Sequence, residues 1–83
     1  MYTVRMSYDK KYDILYARCM GAGYSYGEDQ DRLIVYHDME TDDITGIAIF
    51  SAGEKLGKGE LDLSSLPLPL NAFNQKIQNL IFA

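Results

Sequence analysis

Tyr8, Asp9, Asp13 and Tyr16 bracket one short polar stretch, and carboxylates beside phenols are groups that can bind a cation or share acid and base roles. The same spacing suits a turn. Asp side chains accept hydrogen bonds from turn amides, and this is the favoured reading of Asp9 and Asp13. A second acidic run, Asp38, Glu40, Asp42 and Asp43, offers the hard oxygen donors that calcium takes. Counted from Asp38, a calcium loop of the EF-hand type needs glycine where Asp43 stands and glutamate where Ile49 stands, so the run reads as a solvated turn. Gly53, Gly57, Lys58 and Gly59 suggest a phosphate-binding loop. Its spacing is one residue short, and Gly59 replaces the hydroxyl that would hold magnesium.

His37 and Cys19 are the only residues of their kinds, which excludes a His-rich or Cys-rich zinc site within one chain. A Cys–His nucleophilic pair would need the two strands that carry them to be close. The simpler reading makes Cys19, which continues the alternation of Leu15 and Ala17, a small buried hydrophobe, and His37 an ordinary hydrogen-bonded residue at a strand end. The chain has seven tyrosines and no tryptophan. Tyr24 and Tyr26 flank a glycine-bearing loop, while Tyr16 and Tyr36 fall on the side of their strands opposite the core. A tyrosine-bearing face suits a partner interface, yet a C-terminal helix of the same chain could also bury Tyr16 and Tyr36.

The elements that would position these residues follow from apolar period. Tyr2, Val4, Met6 and Tyr8 alternate with Thr3, Arg5 and Ser7, a half-buried strand, and a polar turn leads to a second strand over residues 14–19. A loop holding Gly21, Gly23, Gly27 and the acidic Glu28, Asp29 and Asp31 comes next. Strands over residues 32–38 and 44–51 form the clearer of two hairpins and carry apolar residues on both faces, so Tyr16, Ile34 or Tyr36 must be covered by something. Residues 53–69 read as a long connection with room for a turn of strand or 3₁₀ helix around Leu61 and Leu63. Pro67 and Pro69 hold the chain extended before Asn71, the expected N-cap, and Phe73, Ile77, Leu80 and Ile81 recur at helical spacing. The expected fold is α+β: a four-stranded antiparallel β-meander of two hairpins over residues 2–52, the connection, and a C-terminal amphipathic helix over residues 70–82.

At 83 residues, with 47% hydrophobic and 24% charged positions, the chain allows one globular domain. Small cores often gain stability by dimerising, so a homodimer is expected. The net charge of −4, with Lys and Arg scattered, lacks the basic footprint of nucleic-acid binding. One cysteine and no signal-like opening suggest a reducing cytoplasm, and no apolar run is long enough to span a bilayer.

Tyr8-Asp9, Asp13, Leu15-Tyr16, Asp38, Gly46-Ile47, Ile49 and Ala52 together resemble the small bacterial proteins grouped as domain of unknown function 2283. The resemblance spans about residues 4–52. The turn Asp38-Met39-Glu40-Thr41-Asp42-Asp43 lacks the glycine that typical members carry. It implies a four-stranded antiparallel meander with no established activity. Relatives that neighbour genes for small toxin-like proteins would further imply an antitoxin-like or other partner-binding role.

The functional expectation is a non-catalytic protein-interaction domain without cofactor or metal, using Tyr16, Tyr24, Tyr26, Tyr36, Phe73, Ile77 and Leu80 to contact a second copy or another protein. The competing expectation is a small ligand-binding protein or enzyme. Its polar site would draw on Asp9, Asp13, Asp38 and His37 and be completed across a homodimer.

Overall fold

The computed structural model describes residues 3–21 and 23–83, so the expected first-strand position of Tyr2 lies outside the described residues. Strand β1 (Val4–Asp9) buries Val4 and Met6 and exposes Arg5 and Ser7, as strict alternation requires. Asp9 closes the following turn by accepting from the amides of Lys11 (3.0 Å) and Tyr12 (3.2 Å). Asp13 leaves that turn with a left-handed backbone, φ 55°. Strand β2 (Ile14–Cys19) then pairs antiparallel with β1, Tyr8 opposite Leu15 and Met6 opposite Ala17.

Strands β3 (Ser25–Asp29), β4 (Leu33–Asp38) and β5 (Ile44–Phe50) complete an antiparallel sheet of five strands in the order β1-β2-β5-β4-β3. Two expectations are corrected here. The sheet has a fifth strand, β3, where a glycine-bearing acidic loop was expected, and it is not a simple meander, because β5 is inserted between β2 and β4. The physical reason lies in β5 itself. Thr45 to Ile49 are all buried, so this strand needs a neighbour on each side as well as cover above, whereas β1 and β3 carry polar residues and stand at the edges.

The segment after β5 also differs from the expected plain connection. Helix α1 (Ala52–Gly57) opens it, and no strand or 3₁₀ turn forms at Leu61–Leu63. Leu63, Leu68 and Leu70 nevertheless drop into the core, with the Leu70 amide donating to the Leu63 carbonyl at 2.9 Å. A 3₁₀ turn (Asn71–Phe73) then leads into α2 (Asn74–Phe82). Asn71 is not a side-chain N-cap: it lies inside the 3₁₀ turn, and neither start carries a side-chain capping bond.

One core results. Val4, Met6, Leu15, Ala17, Val35, Ile47 and Ile49 from one face of the sheet meet Ala52, Leu63, Leu68, Leu70, Ile77 and Ile81. The helix therefore spends its apolar stripe on its own sheet. The opposite face, bearing Tyr16, Ala48, Ile34 and Tyr36, receives no helix, so the expected cover for it is not supplied from within the described chain. Its side chains shield one another only partly: Tyr16 keeps 38% of its surface exposed while Ile34 and Tyr36 are half-buried. No helix among the described residues is long and apolar enough to cross a membrane.

Candidate functional site

The polar candidates disperse to opposite ends of the sheet. Asp9 and Asp13 sit in the β1–β2 turn, and Asp38 and His37 sit where β4 leaves for β5. Asp13 is wholly engaged in holding the fold. Its Oδ1 accepts from the Tyr8 hydroxyl at 2.6 Å and the Gly53 amide at 2.7 Å, and its Oδ2 accepts from the Glu54 amide at 3.1 Å. Burial alone would raise its pKa, but the hydrogen bonds from Tyr8, Gly53 and Glu54 outweigh burial and hold the carboxyl below the usual range. The same contact, led by the hydrogen bond to Asp13, pushes Tyr8 up to about 12. This carboxylate caps α1 from far along the chain, a job that Ser51, with φ 56° and no capping bond, does not perform.

Gly53 is the residue that lets Asp13 approach. A Cβ there would lie 2.8 Å from Asp13 Oδ1, 3.0 Å from Ile81 Cγ2 and 3.1 Å from the Tyr8 hydroxyl. Gly53→Ala should therefore cost about 1–3 kcal/mol of unfolding free energy, the ordinary range for overpacking. Urea denaturation measures it, and a loss under about 0.5 kcal/mol, the size of an indifferent surface change, would show that the site yields freely.

Asp38 is a turn residue of the same kind as Asp9. Its Oδ1 accepts from Glu40 (2.8 Å) and Thr41 (3.1 Å), and these amides hold its carboxyl below the usual range. His37 stacks on Tyr26 with ring centroids 5.3 Å apart. Its Nδ1 lies 3.1 Å from the Asp42 carbonyl, which only accepts, so Nδ1 carries the proton of this bond. Its Nε2 has no hydrogen-bond partner and lies 4.0 Å from Glu28. The Tyr26 hydroxyl donates to Asp42 at 2.6 Å, which raises its pKa. Burial pushes the Cys19 thiol up, the opposite of an activated nucleophile, and β5 separates its strand from that of His37. Among the described residues no group of three or more His, Cys, Asp or Glu is placed to hold a metal ion.

The tyrosines divide. Tyr16 and Tyr36 stand on the open face, and Tyr24, 87% exposed, rises at its rim. Tyr26 belongs to the other side of the sheet, with His37. Of the helical candidates, Ile77 is fully buried, and Phe73 and Leu80 pack partly buried against the same core, so Ile77 offers nothing to a partner.

Register gives the open face its pattern. Arg5, Arg18, Gly46, Tyr36 and Gly27 form one row across the strands, and Ser7, Tyr16, Ala48, Ile34 and Asp29 form the next. In these two rows the central strand thus carries only Gly46 and Ala48 between two taller banks. Where the first row meets the start of β3, the banks enclose a concavity of about 670 Å³. Arg5, Arg18, Gly46 and Ala48 escaped the sequence reading. Alternation places the two arginines opposite the core residues, but only the β1–β2 register makes them neighbours.

No model of a known protein family matches the chain, and comparison with curated proteins and with solved structures finds no match either.

Proposed function

We propose that the chain is a non-catalytic interaction domain that works as a homodimer, two copies meeting through the open sheet face. The observation that carries this reading is the row Tyr16–Ala48–Ile34, apolar residues on a face that no helix of the chain covers. Five strands at ordinary spacing offer a face of roughly 24 by 20 Å. Two such faces bury about 1,000 Å², the size at which specific interfaces begin.

Charge at the edges selects the arrangement. Arg5 stands on edge strand β1 and Asp29 on edge strand β3. A two-fold axis along β5 brings each Arg5 edge over the partner's Asp29 edge, whereas an axis across the strands sets like edges against each other. The dispersal of Asp9, Asp13, Asp38 and His37 into separate turns supports a binding role over a catalytic one.

Light scattering on the full chain tests this, with Ile34→Lys as the interface variant. The expected result is a dimer mass for the wild type and a monomer mass for the variant at unchanged circular dichroism. A wild-type monomer at high micromolar concentration, or a variant that stays dimeric, overturns the reading.

A further inference from the structure

The concave end of the open face has features that packing between flat sheets does not explain. Tyr16 and Tyr36 wall it, Gly23 and Tyr24 rim it, and Arg18 and Ser25 reach its edge. Ala17 and Ile47 also line it, though their side chains belong to the core on the other face. The adjoining Gly46 adds no side chain, since a Cβ there would lie 2.7 Å from the Ala17 carbonyl oxygen. The backbones of β2 and β4 stand about 10 Å apart across β5. Tyr16 and Tyr36 stand one row apart on those strands, and a planar ring in contact with a bank on each side needs roughly 7–8 Å, so a flat ring system fits between the banks.

The charges point to an anion. Arg18 is the cross-strand partner of Arg5 on the same face, and like charges directly opposite are unfavourable. Neither arginine forms an ion pair among the described residues. The hydrogen bond of Arg18 is a long one, 3.4 Å to the Gly23 carbonyl, which leaves most of its donors open. Among the described residues no carboxylate lines the concavity, although the chain as a whole carries a net charge of −4. Asp38 lies beyond Gly23, its Oδ1 accepting two turn amides and its Oδ2 3.9 Å from where a Cβ at Gly23 would stand, and it is not part of the lining.

We propose that this concavity is a binding site for a small aromatic carboxylate, its ring lying between Tyr16 and Tyr36 beside the bare backbone at Gly46 and its carboxylate paired with the Arg18 guanidinium. The planar guanidinium fork matches a carboxylate in a way that a point charge would not. The site is complete within one chain and needs no second copy.

The test uses the full chain and 2-naphthoate as the probe, followed by amide and tyrosine-ring nuclear magnetic resonance, with 2-naphthamide as the neutral counterpart. Saturable shifts centred on Tyr16, Tyr24, Tyr36 and Gly46 are expected. Loss of one charge-assisted contact should weaken binding about tenfold or more, whether made by Arg18→Gln or by using the amide. Arg18 is exposed, so the variant keeps its fold, and its amide spectrum verifies that. Absence of saturation up to about millimolar probe, the weak limit for a built site, overturns the proposal. So does an amide that binds as tightly as the acid, or a variant that binds as well as the wild type. Tyr16 also belongs to the proposed dimer row, so the titration is repeated on the Ile34→Lys variant, and light scattering on both samples reports self-association separately. Failure of Ile34→Lys to bind overturns this proposal alone, and a wild-type monomer overturns the dimer alone.

Discussion

Replacing Asp13 with alanine is expected to remove about 2–3 kcal/mol of stability, the sum of a lost helix cap and an alanine forced into left-handed backbone. The first part comes from the three donors on its carboxylate, the Tyr8 hydroxyl and the amides of Gly53 and Glu54. The second comes from φ 55° at a position where Asp and Asn are tolerated far better than Ala. Asp13→Asn separates the two: it keeps the backbone preference and loses the charge, so it should retain part of the stability. Equal losses in the two variants would remove the backbone contribution from this account.

The same network fixes how stability depends on pH. The folded carboxyl of Asp13 lies below its unfolded value, so its stabilisation is complete above about pH 4 and is lost as pH falls through the folded pKa. Tyr8 is raised from 10.0 to about 12, so its stabilisation is present below its unfolded pKa of about 10 and is lost as pH climbs towards 12. Denaturation midpoints should therefore fall at both extremes. Ultraviolet titration should show two tyrosines ionising late in the wild type, Tyr8 and Tyr26, and only Tyr26 doing so in Asp13→Ala. A number of late tyrosines unchanged by the variant would break the assignment to Tyr8 and Asp13.

The second large effect is expected at Ile77. It is fully buried and meets the sheet together with Leu70 and Ile81, so Ile77→Ala should cost about 2–5 kcal/mol. A domain of this size has a total stability of only about 5 kcal/mol. The variant should be partly unfolded at room temperature, read as lost near-ultraviolet dichroism and a low urea midpoint. Removing α2 altogether should unfold the sheet for the same reason. A well-folded chain ending at Leu70 would show that the helix is dispensable to the core.

What the residues alone reveal is uneven, for reasons that can be located. Strands β1, β2, β4 and β5 advertise themselves because their apolar residues alternate or run together, and α2 does so through Phe73, Ile77, Leu80 and Ile81. Strand β3 has no such pattern. Its residues from Tyr26 to Asp29 are exposed, and pairing with β4 makes it a strand; Gly27 is small because a Cβ there would lie 3.1 Å from Ile34 Cγ2 and 3.3 Å from Tyr36 Cε1. Helix α1 is illegible because its cap comes from Asp13, beyond any local window. The open face is half legible: alternation sets Tyr16 and Tyr36 away from the core. The row that joins Arg5, Arg18 and Gly46 needs the strand order, which a single sequence leaves undetermined.

The insertion of β5 between β2 and β4 also bears on how the chain reaches this state. Two units can form from neighbouring segments, the β1–β2 hairpin and the β3–β4–β5 triplet, each closed by short turns. Neither buries much alone. They become one sheet only when β2 finds β5, a pairing that closes a long loop, and the buried residues of both helices share one core with the sheet so joined. The step expected to limit folding is that seam, between strands far apart in the chain and adjacent in the sheet.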